Sequence, residues 1–181
     1  MLKHRDLTRK DRYNLKKESA QYLSVDLCTI NFQFEDNLGF LIRAAACFGV
    51  KKIHVIGSIP NRSILKPLSG SLYDYVELIK YSNPAEFLKF VDKENIPLIA
   101  AEISKDSIPV YDASFSDFNS FCLVVGNESI GVPPEILRKS LPVHVPMPGI
   151  GYCLNTSQAA NVILYEIMRQ KHCIKIPKKE Y

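Results

Sequence analysis

The chain has 181 residues, of which 46% are hydrophobic and 23% are charged, and its formal net charge is +4. This is the composition of an ordinary globular protein with one sizeable core. No stretch approaches the roughly 18 uncharged apolar residues of a membrane helix, and no apolar run follows the basic residues at the amino terminus. We therefore expect a cytoplasmic protein without a membrane segment.

The first 24 residues form a basic arm. They hold seven Lys and Arg against three acidic residues, so the arm accounts for the whole net charge and the remaining chain is neutral. Such an arm is expected of a protein that meets a phosphate backbone, although a solvated helix face has the same composition. If the partner is RNA, these residues supply affinity rather than sequence choice. The candidate RNA-binding residues are Lys3, Arg5, Arg9, Lys10, Arg12, Lys16 and Lys17, with Lys171, Lys175, Lys178 and Lys179 of the tail as a second group.

Beyond the arm, short apolar runs typical of buried strands alternate with helical segments. The strand-like runs are 27–31, 52–56, 76–81, 97–103, 121–125 and 143–147. The helical segments start at Asp36 or Asn37 and end before Gly49, cover 84–93, open at 133–134, and start again at Asn155 or Thr156. Uniform short runs of this kind predict an α/β fold with a mostly parallel sheet flanked by helices. No repeat, low-complexity tract or linker divides the chain.

The five cysteines are odd in number, scattered, and never spaced as Cys-x-x-Cys. Neither a disulfide framework nor a zinc site is indicated. The four histidines are far apart and form no ligand pattern with acidic residues. We predict that the protein holds no metal.

Three segments carry residues that bear on chemistry, and an open parallel sheet gathers ligands at the carboxyl ends of its strands. Asn37 and Arg43 lie nearly two helical turns apart in an otherwise apolar run, where a surface arginine is the simpler interpretation. The stretch 126–131 follows the strand-like run 121–125 with two glycines and Glu128, and an ordinary turn is the alternative. The stretch 145–157 leads into the last helix, and its polar residues could simply cap that helix.

Together these segments resemble the three signature motifs of the SpoU/TrmH ribose methyltransferases of the SPOUT superfamily. The family's Asn-x-Gly followed by Arg, Ala and Phe-Gly-Val matches 37–50, and its Gly-Asn-Glu-x-x-Gly after a hydrophobic strand matches 123–132. Its Ile-Pro-Met followed by Ser-Leu-Asn-Val-Ser and a helix matches 145–157, and its Ser-Ala-Gly-Ser segment is similar to 67–71. The resemblance covers residues from about 25 to 172.

The resemblance implies a SPOUT-type trefoil-knot fold, a homodimer, and methyl transfer from S-adenosylmethionine to a ribose 2′-hydroxyl of RNA. By position, the implied catalytic residues are Arg43, Asn37, Glu128 and Asn155, the last on the substrate side. The implied cofactor-binding residues are Gly126, Val145, Met147, Cys153 and Leu154. The domains would be the basic arm 1–24, a methyltransferase domain 25–172 and a basic tail 173–181. Because no separate RNA-recognition domain fits before residue 25, we favour tRNA over ribosomal RNA.

One departure from the family bears on activity. The family usually has Ser before the Leu-Asn pair, whereas this chain has Cys153, a weaker hydrogen-bonding group. A non-catalytic RNA-binding protein on the same fold is therefore the alternative function, and methylation of a base nitrogen by another SPOUT branch is a third. In the family proposal the arginine acts as a base, but a guanidinium loses its proton only above about pH 12, so we favour charge stabilisation by Arg43.

Overall fold

The computed structural model describes residues 8–172, and the side chains of Arg9, Lys10 and His172 are outside that description. The strands are β1 (Val25–Ile30), β2 (Lys52–Ile56), β3 (Glu77–Tyr81), β4 (Leu98–Ala101), β5 (Ile108–Pro109), β6 (Phe121–Val125) and β7 (Ser140–His144). The helices are α1 (Arg9–Glu18), α2 (Glu35–Phe48), α3 (Arg62–Leu68), α4 (Pro84–Glu94), α5 (Pro134–Leu137) and α6 (Thr156–His172). Within residues 8–172, no helix is both long enough and apolar enough to cross a membrane.

All seven strands belong to one parallel sheet in the order β3-β2-β1-β6-β4-β7-β5. The late strand β6 lies between β1 and β4, with Leu123 opposite both Leu27 and Ile99. The carboxyl ends of all strands therefore lie at the same edge of the sheet, where the loops that carry the motifs begin. The predicted α/β class with a mostly parallel sheet is confirmed, whereas the trefoil knot and the three domain bounds stay predictions.

Each face of the sheet is covered by its own apolar cluster, because successive side chains of a strand point to opposite faces. Val25 and Leu27 of β1 pack with α2 and α6, whereas Cys28 and Ile30 pack on the side of α4 and α5. Uniform apolar runs are what a sheet buried on both faces requires. The core thus fixes β1 and β6, the strands that carry the motif loops, from both sides.

Helix α2 ends as predicted but begins differently. Gly49 adopts the left-handed conformation (φ 79°), and a Cβ there would lie 2.3 Å from the carbonyl oxygen of Gln21. The prediction that Asp36 or Asn37 caps the helix was wrong: α2 begins at Glu35, and Phe34 stands at the cap without a side-chain hydrogen bond. Asn37 does not cap the helix because its side-chain amide donates to Glu128 and its side-chain oxygen accepts from Asn155.

Strand β7 lies three residues earlier than the predicted run 143–147. Its pairing with β4 runs from Ser140 to Val143, and the chain then leaves the sheet at Val145. Pro146 and Pro148 have no N–H to donate to a ladder, so the chain beyond Val145 cannot continue a regular ladder. The residues that leave the sheet line the cavity described next.

Part of the predicted basic arm is a docked helix. Thr8 and Asp11 form a capping box at the start of α1. The ring of Tyr13 stacks on Tyr75 with centroids 6.4 Å apart, and the ammonium of Lys17 lies 5.0 Å from the Tyr75 centroid. Candidate residues Lys3 and Arg5, and the tail lysines beyond position 172, lie outside the described residues.

Candidate functional site

A cavity of about 580 Å³ opens at the carboxyl edge of the sheet, over β6, β4 and β7. Its volume falls in the range of roughly 300–1,000 Å³ that is usual for small-molecule sites. All five predicted cofactor-binding residues line it: Gly126, Val145, Met147, Cys153 and Leu154. The second and third motifs thus meet on one surface.

The second motif folds as a tight turn at the end of β6. The backbones of Asn127 and Gly131 exchange two hydrogen bonds, each of 3.0 Å, and Gly131 is in the left-handed region (φ 65°). The amide of Asn127 donates to the carbonyl of Asn31, which ties the turn to the end of β1. A Cβ on Gly126 would lie 2.5 Å from the carbonyl carbon of Gly131, so the turn closes over a position that only glycine fits.

Glu128 joins this turn to the first motif. Its carboxylate accepts hydrogen bonds from the backbone N–H of Gln33 (2.9 Å) and Phe34 (3.4 Å) and from the amide of Asn37. Burial is the largest single influence and would raise the pKa of the Glu128 carboxyl. The N–H groups donated to the carboxylate together outweigh burial and hold the pKa below its ordinary value of 4.5.

Glu128→Gln is expected to lower the free energy of unfolding by about 1 to 3 kcal/mol at pH 7, because an amide cannot accept all of these N–H groups. A lowered folded-state pKa stabilises the protein above the unfolded value, and that contribution is lost as pH falls through the folded value. The gap between parent and variant should therefore narrow below about pH 4.5. Urea unfolding from pH 7 to pH 3 checks this, and a gap that does not change with pH would contradict it.

Asn155 links the third motif to the other two. Its side-chain oxygen caps α6 by accepting from the N–H (2.9 Å) and hydroxyl (2.7 Å) of Ser157, as predicted. Its amide donates to the side-chain oxygen of Asn37 at 2.9 Å, and the amide of Asn37 donates to Glu128. The hydroxyl of Thr156 donates to the carbonyl of Gly126 at 2.9 Å. Hydrogen bonds therefore connect all three motifs.

Arg43 lines a second cavity, of about 550 Å³, between α2 and α6. The arginine is exposed, and its guanidinium lies beside Gly70 in the segment 67–71, where a Cβ would be 3.5 Å from Cζ of Arg43. Asn155 lines both cavities, since it stands at the start of α6 between them. Arg43 thus faces a different space from the predicted cofactor residues, and the two spaces meet at Asn155.

The family model described as "SpoU rRNA Methylase family" matches residues 24–165 of the chain. The chain belongs to this family. The predicted SpoU membership is confirmed, and with it the prediction of an RNA methylase.

Known proteins similar to this SpoU methylase agree in fold. A tRNA (guanosine(18)-2′-O)-methyltransferase of Aquifex aeolicus is 28% identical over 143 residues, which are 78% of this chain and 67% of that protein. The crystal structure of the A. aeolicus TrmH/SpoU tRNA modifying enzyme aligns with a TM-score of 0.75 at 24% identity, covering 90% of this chain and 83% of that one. The SpoU methyltransferase AviRb from Streptomyces viridochromogenes, solved with its cofactor AdoMet, aligns with a TM-score of 0.71 at 23% identity, covering 88% and 65%.

Two polar residues of the SpoU site escaped the sequence analysis as individual candidates. Glu102 follows β4 and lines the first cavity, and Thr156 was considered only as a possible helix start. A single Glu after a strand carries no spacing signal, and a Thr at a helix start is usually a cap. Among residues 8–172, no group of three or more His, Cys, Asp or Glu could hold a metal ion.

Proposed function

We propose that this SpoU methylase transfers a methyl group from S-adenosylmethionine to a ribose 2′-hydroxyl of RNA, and that its substrate is a tRNA. One observation carries the proposal: two adjacent cavities meet at Asn155, one lined by glycine turns and apolar side chains and the other by Arg43. The first cavity has the volume of a small-molecule site, and the second presents the exposed Arg43 to a substrate.

The first cavity fits the methyl donor by its chemistry. Gly126 and Gly131 form a compact turn whose backbone lines the cavity, and Val145, Met147 and Leu154 supply an apolar wall. When bound, S-adenosylmethionine supplies an electrophilic methyl group on a positively charged sulfur.

Arg43 is the residue to which we assign the chemistry on the RNA. The ribose oxygen develops negative charge as its proton passes to water, and a guanidinium can stabilise that oxygen together with a neighbouring phosphate. Asn37, Glu128 and Asn155 act differently, because their side-chain groups are engaged with each other and with the backbone. We infer that these three are positioning residues, which fix the two cavities relative to each other.

Methyl transfer to purified tRNA and ribosomal RNA with radiolabelled donor tests the proposed function. A 2′-O-methyl group blocks alkaline cleavage of the next phosphodiester, so product RNA should yield a labelled alkali-resistant dinucleotide. Label in an alkali-sensitive nucleotide would indicate base methylation instead. Donor binding without turnover on any RNA would favour the non-catalytic alternative. Label in ribosomal RNA alone would refute the choice of tRNA, which is supported by the Aquifex relative's name.

Deleting residues 1–19 should weaken RNA binding far more than donor binding. The deletion removes all seven basic residues of the arm but keeps Leu23, which is buried and whose N–H donates to the carbonyl of Gly49 at 2.9 Å. The slope of log affinity against log salt should become less steep by roughly 0.9 for each lost phosphate contact with duplex RNA regions. Filter binding from about 50 to 200 mM salt measures the slope, and an unchanged slope would assign the arm another role.

We propose that the protein works as a homodimer that pairs through α2 and α6. Phe40, Val162 and Tyr165 are 41% to 55% exposed on these two packed helices, and Phe40 also lines the Arg43 cavity. Large exposed apolar groups of this kind are typical of protein interfaces. Sedimentation at micromolar protein tests the proposal, and a monomer at every concentration would refute it.

Cys153→Ser is expected to preserve donor binding and to give turnover equal to or above that of the parent. Cys153 is exposed and lines the first cavity, where a hydroxyl would restore the stronger hydrogen bond of the family serine. Cys153→Ala should cost little. Complete loss of turnover in Cys153→Ser, with a trapped protein–RNA adduct in the parent, would instead make the thiol a nucleophile.

A further inference from the structure

The first cavity contains an acidic side chain that none of the three motifs includes. Glu102 directly follows β4, and its backbone N–H donates to the carbonyl of Val143 at 3.0 Å. The ladder between β4 and β7 therefore continues one residue beyond β4. The backbone of Glu102 is fixed by the sheet, and its side chain lines the cavity.

Only one oxygen of the Glu102 carboxylate is used within the described protein. Its Oε2 accepts the backbone N–H of Val132 at 2.7 Å and lies against Gly131, where a Cβ would be 2.4 Å away. Among residues 8–172, Oε1 receives no hydrogen bond and the carboxylate has no ion-pair partner. The side chain is thus held on one side and keeps open acceptor capacity on the other.

Glu102 differs in this respect from Glu128, the other acidic residue of the cavity. Glu128 takes two backbone N–H groups and the Asn37 amide, so the protein itself occupies its carboxylate. Glu102 is left as the lining carboxylate that can accept from a ligand. A carboxylate in that role accepts from a hydroxyl, an amine or an ammonium group.

The order of the strands indicates which part of the donor reaches Glu102. The cavity extends from Phe34 and Glu128, beside the end of β1, to His144 at the end of β7. Glu102 lies between these ends because β4 stands between β6 and β7. The methyl donor is a linear arrangement of adenine, ribose and methionine, so its central unit is the ribose with two adjacent hydroxyl groups.

We propose that Glu102 binds the ribose of the methyl donor, with Oε1 accepting hydrogen bonds from its hydroxyl groups. The inference rests on the proposed function, since it assigns a contact within the donor site. Glu102 is then a specificity-determining residue: it raises the affinity for the donor, and it makes that affinity depend on both ribose hydroxyls. Its loss should raise KM for the donor more than it lowers kcat.

Calorimetry tests the assignment with S-adenosylhomocysteine, its 2′-deoxy and 3′-deoxy analogues, and an analogue that lacks the amino group of the amino-acid part. Glu102→Gln keeps an oxygen for the N–H of Val132, so the turn should persist and the ligand-free melting temperature should stay near that of the parent. Its affinity for S-adenosylhomocysteine should fall about 10- to 100-fold, as for loss of a hydrogen bond to a charged group. Removing one ribose hydroxyl should weaken binding to the parent but scarcely affect the variant. Glu94→Gln, at an exposed position on α4, is the matched control and should bind like the parent.

Equal affinity of parent and Glu102→Gln for S-adenosylhomocysteine would overturn the inference. It would also be overturned if the variant became insensitive to loss of the amino group while still discriminating against the deoxyribose analogues, because Glu102 would then contact the ammonium. If the parent binds neither S-adenosylmethionine nor S-adenosylhomocysteine, the proposed function fails and the inference with it. If the parent binds S-adenosylhomocysteine and Glu102→Gln binds it equally well, the inference fails while the proposed function stands.

Discussion

Arg43→Ala is expected to reduce methyl transfer by at least about 100-fold while leaving donor affinity within about twofold of the parent. The reduction is that typically found when one preorganised donor to a developing oxyanion is removed. Donor affinity should persist because Arg43 lines the second cavity, whereas the proposed donor residues line the first. Single-turnover transfer with saturating RNA, together with calorimetry of the donor, measures both quantities.

Two further variants make the test of Arg43 specific. Arg43→Lys keeps the charge but loses the planar fork, and it should also fail. Arg62→Ala removes a positive charge from α3, where Arg62 pairs with Asp74, and it should leave the rate per bound RNA unchanged. Substantial turnover by Arg43→Ala or Arg43→Lys would remove Arg43 from the mechanism.

Gly126→Ala is expected to weaken donor binding by more than about tenfold and to lower the free energy of unfolding by about 1 to 3 kcal/mol. The new Cβ would lie 2.5 Å from the carbonyl carbon of Gly131 and 2.7 Å from the nitrogen of Val132. Both are backbone atoms, so the turn itself must move. That movement would also disturb the hydrogen bond from Thr156 to the carbonyl of Gly126.

The matched control for Gly126→Ala is Gly149→Ala, in the loop between β7 and α6. A Cβ on Gly149 has no atom within 4 Å among the described residues, so its stability should change by less than about 0.5 kcal/mol. Thermal melts should separate the two variants, since about 1 kcal/mol shifts the melting temperature of a protein of this size by about 2 to 4 °C. Equal melting temperatures for Gly126→Ala and the parent would mean that the turn has more freedom than its contacts imply.

The sequence predicted those elements whose burial leaves a pattern in the residues. β2 and β6 were predicted with their observed bounds, because β6 is a continuous apolar run and β2 is a short run rich in β-branched residues that follows Gly49 and precedes Gly57. α3 was missed because it is seven residues long and contains Pro67, and β5 because two residues carry no periodicity. α1 was seen only as charge, since its stability comes from the Thr8–Asp11 capping box and from Tyr13 on Tyr75.

For the site, motif order identified the participants but not their relations. The resemblance selected Asn37, Glu128 and Asn155, and the structure joins them by hydrogen bonds. Their separation along the chain is too large for any local pattern to predict contact. Arg43 was grouped with them, although its cavity is a separate one, because spacing along α2 does not say which space a side chain faces. Glu102 had no motif at all, and only the sheet brings it to the cavity.

The position of β6 between β1 and β4 has a consequence for how this chain folds. β1, β2 and β3 can pair soon after they leave the ribosome, but the edge of β1 that β6 covers stays open until the chain has been made past Val125. An open apolar edge is prone to pair with other chains, which makes this interval the one most exposed to aggregation. Contacts at the site span distances as long or longer, 95 residues from Gln33 to Glu128 and 118 from Asn37 to Asn155. High contact order of this kind slows folding, and the site cannot be completed until the chain has been made as far as Asn155.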